Sequence, residues 1–296
     1  MCRALVAVLC LLMSSLSAGA ETLVLGSVND NVRKHLDRFT PLALYLAQEL
    51  AADGVDDIQI SVLPSSTDMA AALRDGRVDL YFDSPLIAAR VAQESGAVPM
   101  LRRWKRGVST YHSVIVVPMD SPLQTIGDLA GRKIGFQEPD STSGFLLPVG
   151  LIDSAGLTLQ ELASRHARPE GDAVGYVFTG DDKNTLLWLA KGWIDAAATD
   201  PRGFAMLDKS QPDRFRVIEK SMDVPRQVVV RRAGLEVELS RRIKDVLIGM
   251  EATEEGRKVM KKFHKTTKFD AFPNGVDATF APMYGLLDRL EILALY

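Results

Sequence analysis

The run Asp140-Ser141-Thr142-Ser143-Gly144-Phe145 sets three consecutive hydroxyl side chains and a glycine between two apolar stretches. Ile134-Gly135-Phe136 before it predicts the end of a buried strand, and Phe145 onward predicts the start of an amphipathic helix. The first N–H groups of a helix have no intrahelical acceptor, and the positive end of the helix dipole favours an anion there. Hydroxyls would add donors, and Gly144 would let a ligand come close to the backbone. The chemistry implied is a small oxyanion cradle. An ordinary Ser or Thr N-cap facing solvent is the alternative that spacing alone leaves open.

The elements that must position this run alternate between strand and helix, which predicts an α/β protein with mostly parallel sheets. Leu23-Val24-Leu25-Gly26-Ser27 predicts a first strand, residues 33–52 a helix, and Ile58-Gln59-Ile60-Ser61-Val62 a second strand. Ser66-Thr67-Asp68 predicts a helix cap, and Val78-Asp79-Leu80-Tyr81-Phe82 a third strand ending at Asp83-Ser84-Pro85. Ligands in such sheets sit beyond the carboxyl ends of strands, where Ser27, Ser66, Asp83 and Ser84 fall. A second strand–helix series runs from residue 126 to 198, and residues 235–295 read as helical. The expected layout is two α/β lobes, one of residues 21–117 and 226–296 and the other of residues 118–225. Two strands near residues 114–117 and 227–230 would form the crossings.

Residues 1–20 carry Arg3, an apolar segment over residues 4–13 and small residues before Ala20, the pattern of a secretory signal peptide cut after Ala20. Export to the periplasm is the expectation, with no apolar run long enough to span a bilayer. The only cysteines, Cys2 and Cys10, lie in that leader, so the exported chain is expected to hold no disulfide or thiolate metal site. With 35 basic against 38 acidic side chains, the chain is slightly acidic, which argues against a general nucleic-acid role.

Taken in order, Gly76-Arg77-Val78-Asp79-Leu80, Tyr111-His112-Ser113-Val114, Asp128-Leu129-Ala130-Gly131-Arg132-Lys133, the hydroxyl run and Gly192-Trp193-Ile194-Asp195-Ala196 resemble the phosphate/phosphite/phosphonate-binding proteins that feed ABC importers. The resemblance covers about residues 23–273. It implies the type II periplasmic-binding-protein fold, two α/β lobes on a two-strand hinge that close on a ligand. It also implies that Ser141, Thr142 and Ser143 donate to a phosphonate-type group, with Tyr111 and His112 in the matching strand; a structural role for His112 stays open. The chain departs from the family pattern at Ser66, where a tyrosine is usual, at Asp83, where an aromatic or apolar residue is usual, and at Asp181-Asp182-Lys183-Asn184, where a histidine followed by an acid is usual.

Those departures bear on the ligand. Asp83 at a strand end, with Ser84 beside it, would repel a fully ionised anion but accept a hydrogen bond from a protonated one, or pair with an ammonium group. Asp182, Lys183 and Asp200 lie at helix starts, where acids also serve as plain caps. Hydroxyls on one side and Asp83 with Asp182 or Asp200 opposite imply a tetrahedral oxyanion bearing a proton or an amine. The sequence lacks a Gly-x-Ser-x-Gly elbow, and its histidines (His35, His112, His166, His264) lack metal-type spacing; no enzyme activity, metal or cofactor is expected. The basic run from Arg257 to Lys268 reads as a solvated surface. The expected role is a monomeric solute-binding protein delivering its ligand to an ABC permease. Presentation of the ligand to the outer domain of a membrane histidine kinase is the alternative.

Overall fold

The computed structural model describes residues 21–292. The leader and its cleavage site lie outside the described residues. The first series comprises β1 (Glu21–Val28), α1 (Val32–Leu50), β2 (Val55–Leu63), α2 (Ser66–Arg74), β3 (Leu80–Asp83), α3 (Pro85–Ser95) and β4 (Val98–Lys105). It is followed by β5 (Thr110–Tyr111), β6 (Val114–Pro118) and β7 (Lys133–Phe136). A π-helical turn over Thr142–Leu146 then leads into α4 (Leu147–Ser154), β8 (Leu159–Glu161), β9 (Val174–Phe178) and α5 (Asp182–Ala190). The chain continues through β10 (Ala196–Thr199), α6 (Pro201–Ser210), β11 (Phe215–Lys220), β12 (Val224–Pro225) and β13 (Val228–Arg231). It ends with α7 (Val237–Gly249), α8 (Glu254–Lys262), β14 (Thr266–Asp270) and α9 (Gly275–Ile292).

Two six-stranded sheets result, in the orders β14-β4-β13-β3-β1-β2 and β11-β6-β10-β7-β9-β8. Each contains a strand that arrives from the other lobe and runs against its neighbours. β6 is antiparallel to β10 and β11, and β13 is antiparallel to β3 and β4. The remaining pairs around β1, β7 and β9 are parallel. The carboxyl ends of β1, β3, β4, β7 and β10 therefore face one cleft, as the topology of parallel sheets requires.

The crossing lies earlier than the sequence suggests. Val114-Ile115-Val116-Val117 is buried inside the second sheet, because so continuous an apolar run belongs to a strand covered on both faces. The ribbon that joins the lobes is β5 with β12, where Tyr111 pairs with Val224 and Thr110 with Pro225. Two residues per strand are too few to show any period. The expected second crossing, residues 227–230, is β13 of the first sheet.

The last helix also departs from the expected division. α9 packs against α3 of the first lobe and α4 of the second. Its Phe280, Met283, Leu286 and Leu290 join Leu86 and Ile87 of α3, and Val149 and Ile152 of α4, in one continuous core. Gly150 of α4 has no side chain because Leu286 occupies that space.

Candidate functional site

The second-lobe wall of the cleft is built on β7. After Phe136 the chain loops and starts its helix at Ser141, whose Oγ accepts from the Gly144 amide at 3.1 Å and donates to Gln137 Oε1 at 2.7 Å. Ser141 is thus a helix cap, the plain role the sequence left open. The amides of Thr142 and Ser143 find no acceptor among the described residues. Thr142 is 2% exposed, and its Oγ1 is buried with no well-formed hydrogen bond among the described residues; the Tyr111 hydroxyl is near it, but without the distance and angle of a good bond. Buried polar groups are nearly always satisfied, so a hydroxyl left over beside two free amides at a helix start is a set of donors chemically able to receive an oxyanion. The turn is held rigidly. Ser113 Oγ donates to the Ser143 carbonyl at 2.6 Å, and Phe145 packs edge-on against Phe136 and Phe178 with ring centroids 5.2 and 5.0 Å apart.

Gly144 serves packing rather than ligand approach. A side chain there would collide with Gln137, and Gln137 Nε2 in turn donates to Asp182 Oδ1. Asp182 also accepts from Thr199 Oγ1 at 3.1 Å, and its pKa is raised by burial, with Asp200 adding to the effect. Asp200 caps α6 through the Gly203 amide at 2.7 Å and lies 3.8 Å from the Arg226 guanidinium. Glu138 is likewise raised, first by burial and then by Asp140 and Asp182. Tyr111, from the hinge ribbon, is pushed up to about 12 by burial, and Arg226 lies over its ring at 4.4 Å.

The first-lobe wall is basic. β4 ends in Arg103 and Lys105, which the two-residue side-chain period places on one face, toward the cleft. Arg103 is 3% exposed and donates only to neutral acceptors, Thr266 Oγ1 at 3.0 Å and Gln227 Oε1, with the Phe263 ring 4.9 Å away. Its Nε has no partner. Burial, then Arg226, lowers the Arg103 pKa to about 9, which leaves it a cation at neutral pH. Lys105 is lowered to about 7, by burial first and then by Arg103, Arg226 and Arg106. Behind them Arg38 lies 3.3 Å from His264 Nδ1, and His35 bonds Ser27 Oγ at 2.7 Å. Burial and the surrounding cations hold His264 down to about 2, so it is a neutral acceptor.

Asp83, Ser84, Tyr111, Ser141, Thr142, Ser143, Asp182 and Asp200 all line this cavity of about 370 Å³. Four residues singled out from sequence do not. Ser66 is buried and bound by Arg90, because its helix is capped one residue earlier, at Ser65. His112 holds Asp223 at 2.8 Å outside the cavity. Lys183 is exposed on α5 away from the cavity, where Asp181 takes the cap and Asp182, though solvent-exposed as a whole, reaches Gln137 and Thr199 at the cavity edge. Gly144 lies behind Gln137. Asp83 does reach the cleft, but its carboxylate already accepts from the Tyr81 hydroxyl and, at 2.5 Å, the Ser84 amide, with burial raising its pKa. The basic groups Arg38, Arg103, Lys105, Arg226 and His264 went unread. The alternation Arg103-x-Lys105 beside a strand-forming apolar run was the available signal.

A family model described as the periplasmic substrate-binding protein of a phosphonate ABC transporter matches residues 29–274. The chain belongs to this family. Among curated proteins, the phosphonates-binding periplasmic protein of Escherichia coli is 25% identical over 236 residues, 75% of this chain and 67% of that one. The phosphate-import protein PhnD of Mycolicibacterium smegmatis is 33% identical over 148 residues, 47% of this chain and 42% of that one. Among solved structures, XAC2383 from Xanthomonas citri bound to chloride has a TM-score of 0.83 at 26% identity, covering 91% of this chain and 98% of that one. The same protein bound to ATP gives 0.83 at 25% identity over the same shares. PhnD1 from Prochlorococcus marinus, in complex with methylphosphonate, shares the fold at a TM-score of 0.64 and 17% identity, over 92% and 99%.

The protein is therefore a member of the periplasmic substrate-binding proteins of phosphonate-type ABC transporters, a family whose members take a small ligand and meet a permease. The sensor role gains no support from these matches. No helix among the described residues is long and apolar enough to cross a membrane.

Proposed function

We propose that the protein, exported through the leader of residues 1–20 and cut after Ala20, captures a phosphate- or phosphonate-type oxyanion in the cleft between its lobes. The oxyanion sits on the Thr142 and Ser143 amides and hydroxyls, with Tyr111 at the hinge side and the basic first-lobe wall opposite. The observation that carries this reading is Thr142 Oγ1, a buried hydroxyl with no well-formed hydrogen bond among the described residues, at a helix start with two free amides. The raised pKa of Glu138 suits an anion that still carries a proton, since a protonated oxygen can donate to its carboxylate. An ammonium tail fits less well. Asp83 and Asp182 are already engaged by their neighbours, and a cation would face Arg103 and Lys105.

Calorimetric titration of the purified protein with phosphate, phosphite, methylphosphonate, 2-aminoethylphosphonate and ATP tests the reading; ATP is included because XAC2383 is known bound to it. At least one of these should bind, and Thr142→Val should weaken it tenfold or more, since a hydrogen bond to a charged group is worth about 1.5–3 kcal/mol. The same change should raise the melting temperature of the free protein, because it removes an unsatisfied buried hydroxyl. Failure of all five to bind, or full affinity in Thr142→Val, overturns the proposal.

A further inference from the structure

A lone tetrahedral oxyanion uses little of this cleft. Its handful of heavy atoms displaces only a few waters, at about 30 Å³ each, against a cavity of about 370 Å³. The cradle that would hold it lies on the second lobe, while the cations lie on the first. Arg103 is buried with no carboxylate at ion-pair distance among the described residues, Asp83 acting on it only from farther off, and a buried guanidinium in that state is strongly unfavourable. Lys105, two residues along the same face of β4, has no side-chain hydrogen bond or ion pair among the described residues. Of the acids lining the cavity, Asp83 is committed to Tyr81 and Ser84, Asp182 to Gln137 and Thr199, Asp140 to Arg90 and Asp200 to its own helix start, while Glu138, which follows β7 on the second lobe, forms no ion pair with this wall among the described residues. His264, which backs this wall, offers Arg38 a lone pair rather than a charge.

We infer that the first lobe holds a second anion subsite, centred on Arg103 and Lys105, and that the ligand is an organic phosphate or phosphonate with a second anionic group at its other end. The inference rests on the cradle reading above, since the first anionic group occupies Thr142 and Ser143. The second group is a carboxylate or a further phosphoryl group, reaching Lys105 Nζ across the cleft with the buried Arg103 guanidinium behind it. A ligand of this kind touches both lobes with a charge at each end, and each charge meets a wall that lacks a counter-ion of its own. A zwitterion would set its ammonium among cations.

The test compares propylphosphonate with 3-phosphonopropionate and ethane-1,2-diphosphonate, which keep a short chain and add a terminal carboxylate or phosphonate. Calorimetry at pH 7 should show at least one doubly anionic compound binding tenfold or more tighter than propylphosphonate. Which one gains distinguishes a carboxylate from a second phosphoryl group. In Lys105→Gln the ratio of the two affinities should fall to within threefold of one, and in Lys105→Arg it should be restored. Melting curves of both variants check that they fold, and Lys105, less buried than Arg103, is the safer position to change. A ratio near one in the unaltered protein overturns the second subsite and leaves the cradle standing. A tenfold ratio that survives Lys105→Gln places the second charge elsewhere and also overturns it. Failure of propylphosphonate, methylphosphonate, phosphate and both doubly anionic compounds alike removes the cradle, and the second subsite with it.

Discussion

Lys105 is the residue whose charge depends most on what fills the cleft. Burial lowers its pKa to about 7, and Arg103 on its own strand, Arg106 beyond it and Arg226 before β13 push the same way; only Asp83 at the end of β3 opposes them. His35 of α1 and His264 before β14 face the same group. An anion placed beside Lys105 would restore its pKa toward the ordinary lysine range. The sign follows directly. The protonated amine binds the anion, so affinity is full below about pH 7, the pKa of the free protein, and falls as pH rises through the higher value of the complex. The slope is at most one proton, about tenfold per pH unit. Titrating 3-phosphonopropionate at pH 8 in buffers of differing ionisation enthalpy should therefore show proton uptake that is larger in the unaltered protein than in Lys105→Gln. The ligand's own titration is common to both. Equal uptake in the two would mean that the bound anion does not reach Lys105. At this scale the sequence was legible for the place of Thr142 and Ser143 at a helix start, where they line the cleft. Ser66 was not legible, because whether a hydroxyl faces the cleft or a neighbouring Arg90 depends on contacts far along the chain, and the structural role left open for His112 is the one its bond to Asp223 fits.

Elements explain why half of the site stayed hidden. α1, β2, β3 and the turn into α4 carry plain apolar periods and were readable in order. β4 and β14 were not, because Arg102, Arg103, Lys105 and Lys268 give them the look of a solvated surface. Two of these charges are accounted for by partners elsewhere in the chain, Arg102 by Asp270 on the neighbouring strand at 2.7 Å and Lys268 by Glu251 at 2.9 Å, while Arg103 and Lys105 face the cleft. The hinge escaped for the opposite reason, since Val114-Ile115-Val116-Val117 is so good a strand that it reads as the crossing. α9 is the third such case. Its sequence gives a helix, but nothing local says that it packs on both α3 and α4. Leu286, 3% exposed and seated over Gly150, is the side chain that fastens it to the second lobe. Leu286→Ala should destabilise by about 2–5 kcal/mol, as buried leucine truncations do, and lower the melting temperature by roughly 5 °C or more for a protein of this size. A melting temperature within 2 °C of the unaltered protein would mean that α9 does not hold the lobes together.

The whole molecule is two sheets connected by the two-residue strands of β5 and β12, by α9, and by ion pairs that cross between lobes. Arg90 of α3 reaches Asp140 at 3.3 Å, and Arg226 beside the hinge lies 3.8 Å from Asp200. Partly exposed pairs of this kind contribute about 0–1 kcal/mol each, too little to fix one lobe arrangement by themselves. A ligand shifts such an equilibrium only by the difference between its affinities for the two states. An anion seated on Thr142 alone contacts one lobe and has no reason to favour closure. An anion that also meets the basic wall of β4 contacts both, and closure brings its charge toward Arg103 and Lys105. Small-angle scattering should therefore show a smaller radius of gyration in saturating ligand than in its absence. Lys105→Gln should shrink less than the unaltered protein at equal saturation, because the ligand's preference for the closed state is reduced. Thr142→Val should need far more ligand to reach the same contraction. Full saturation by calorimetry with no change in radius would confine the ligand to a single lobe, and the two walls of this cleft would then act independently.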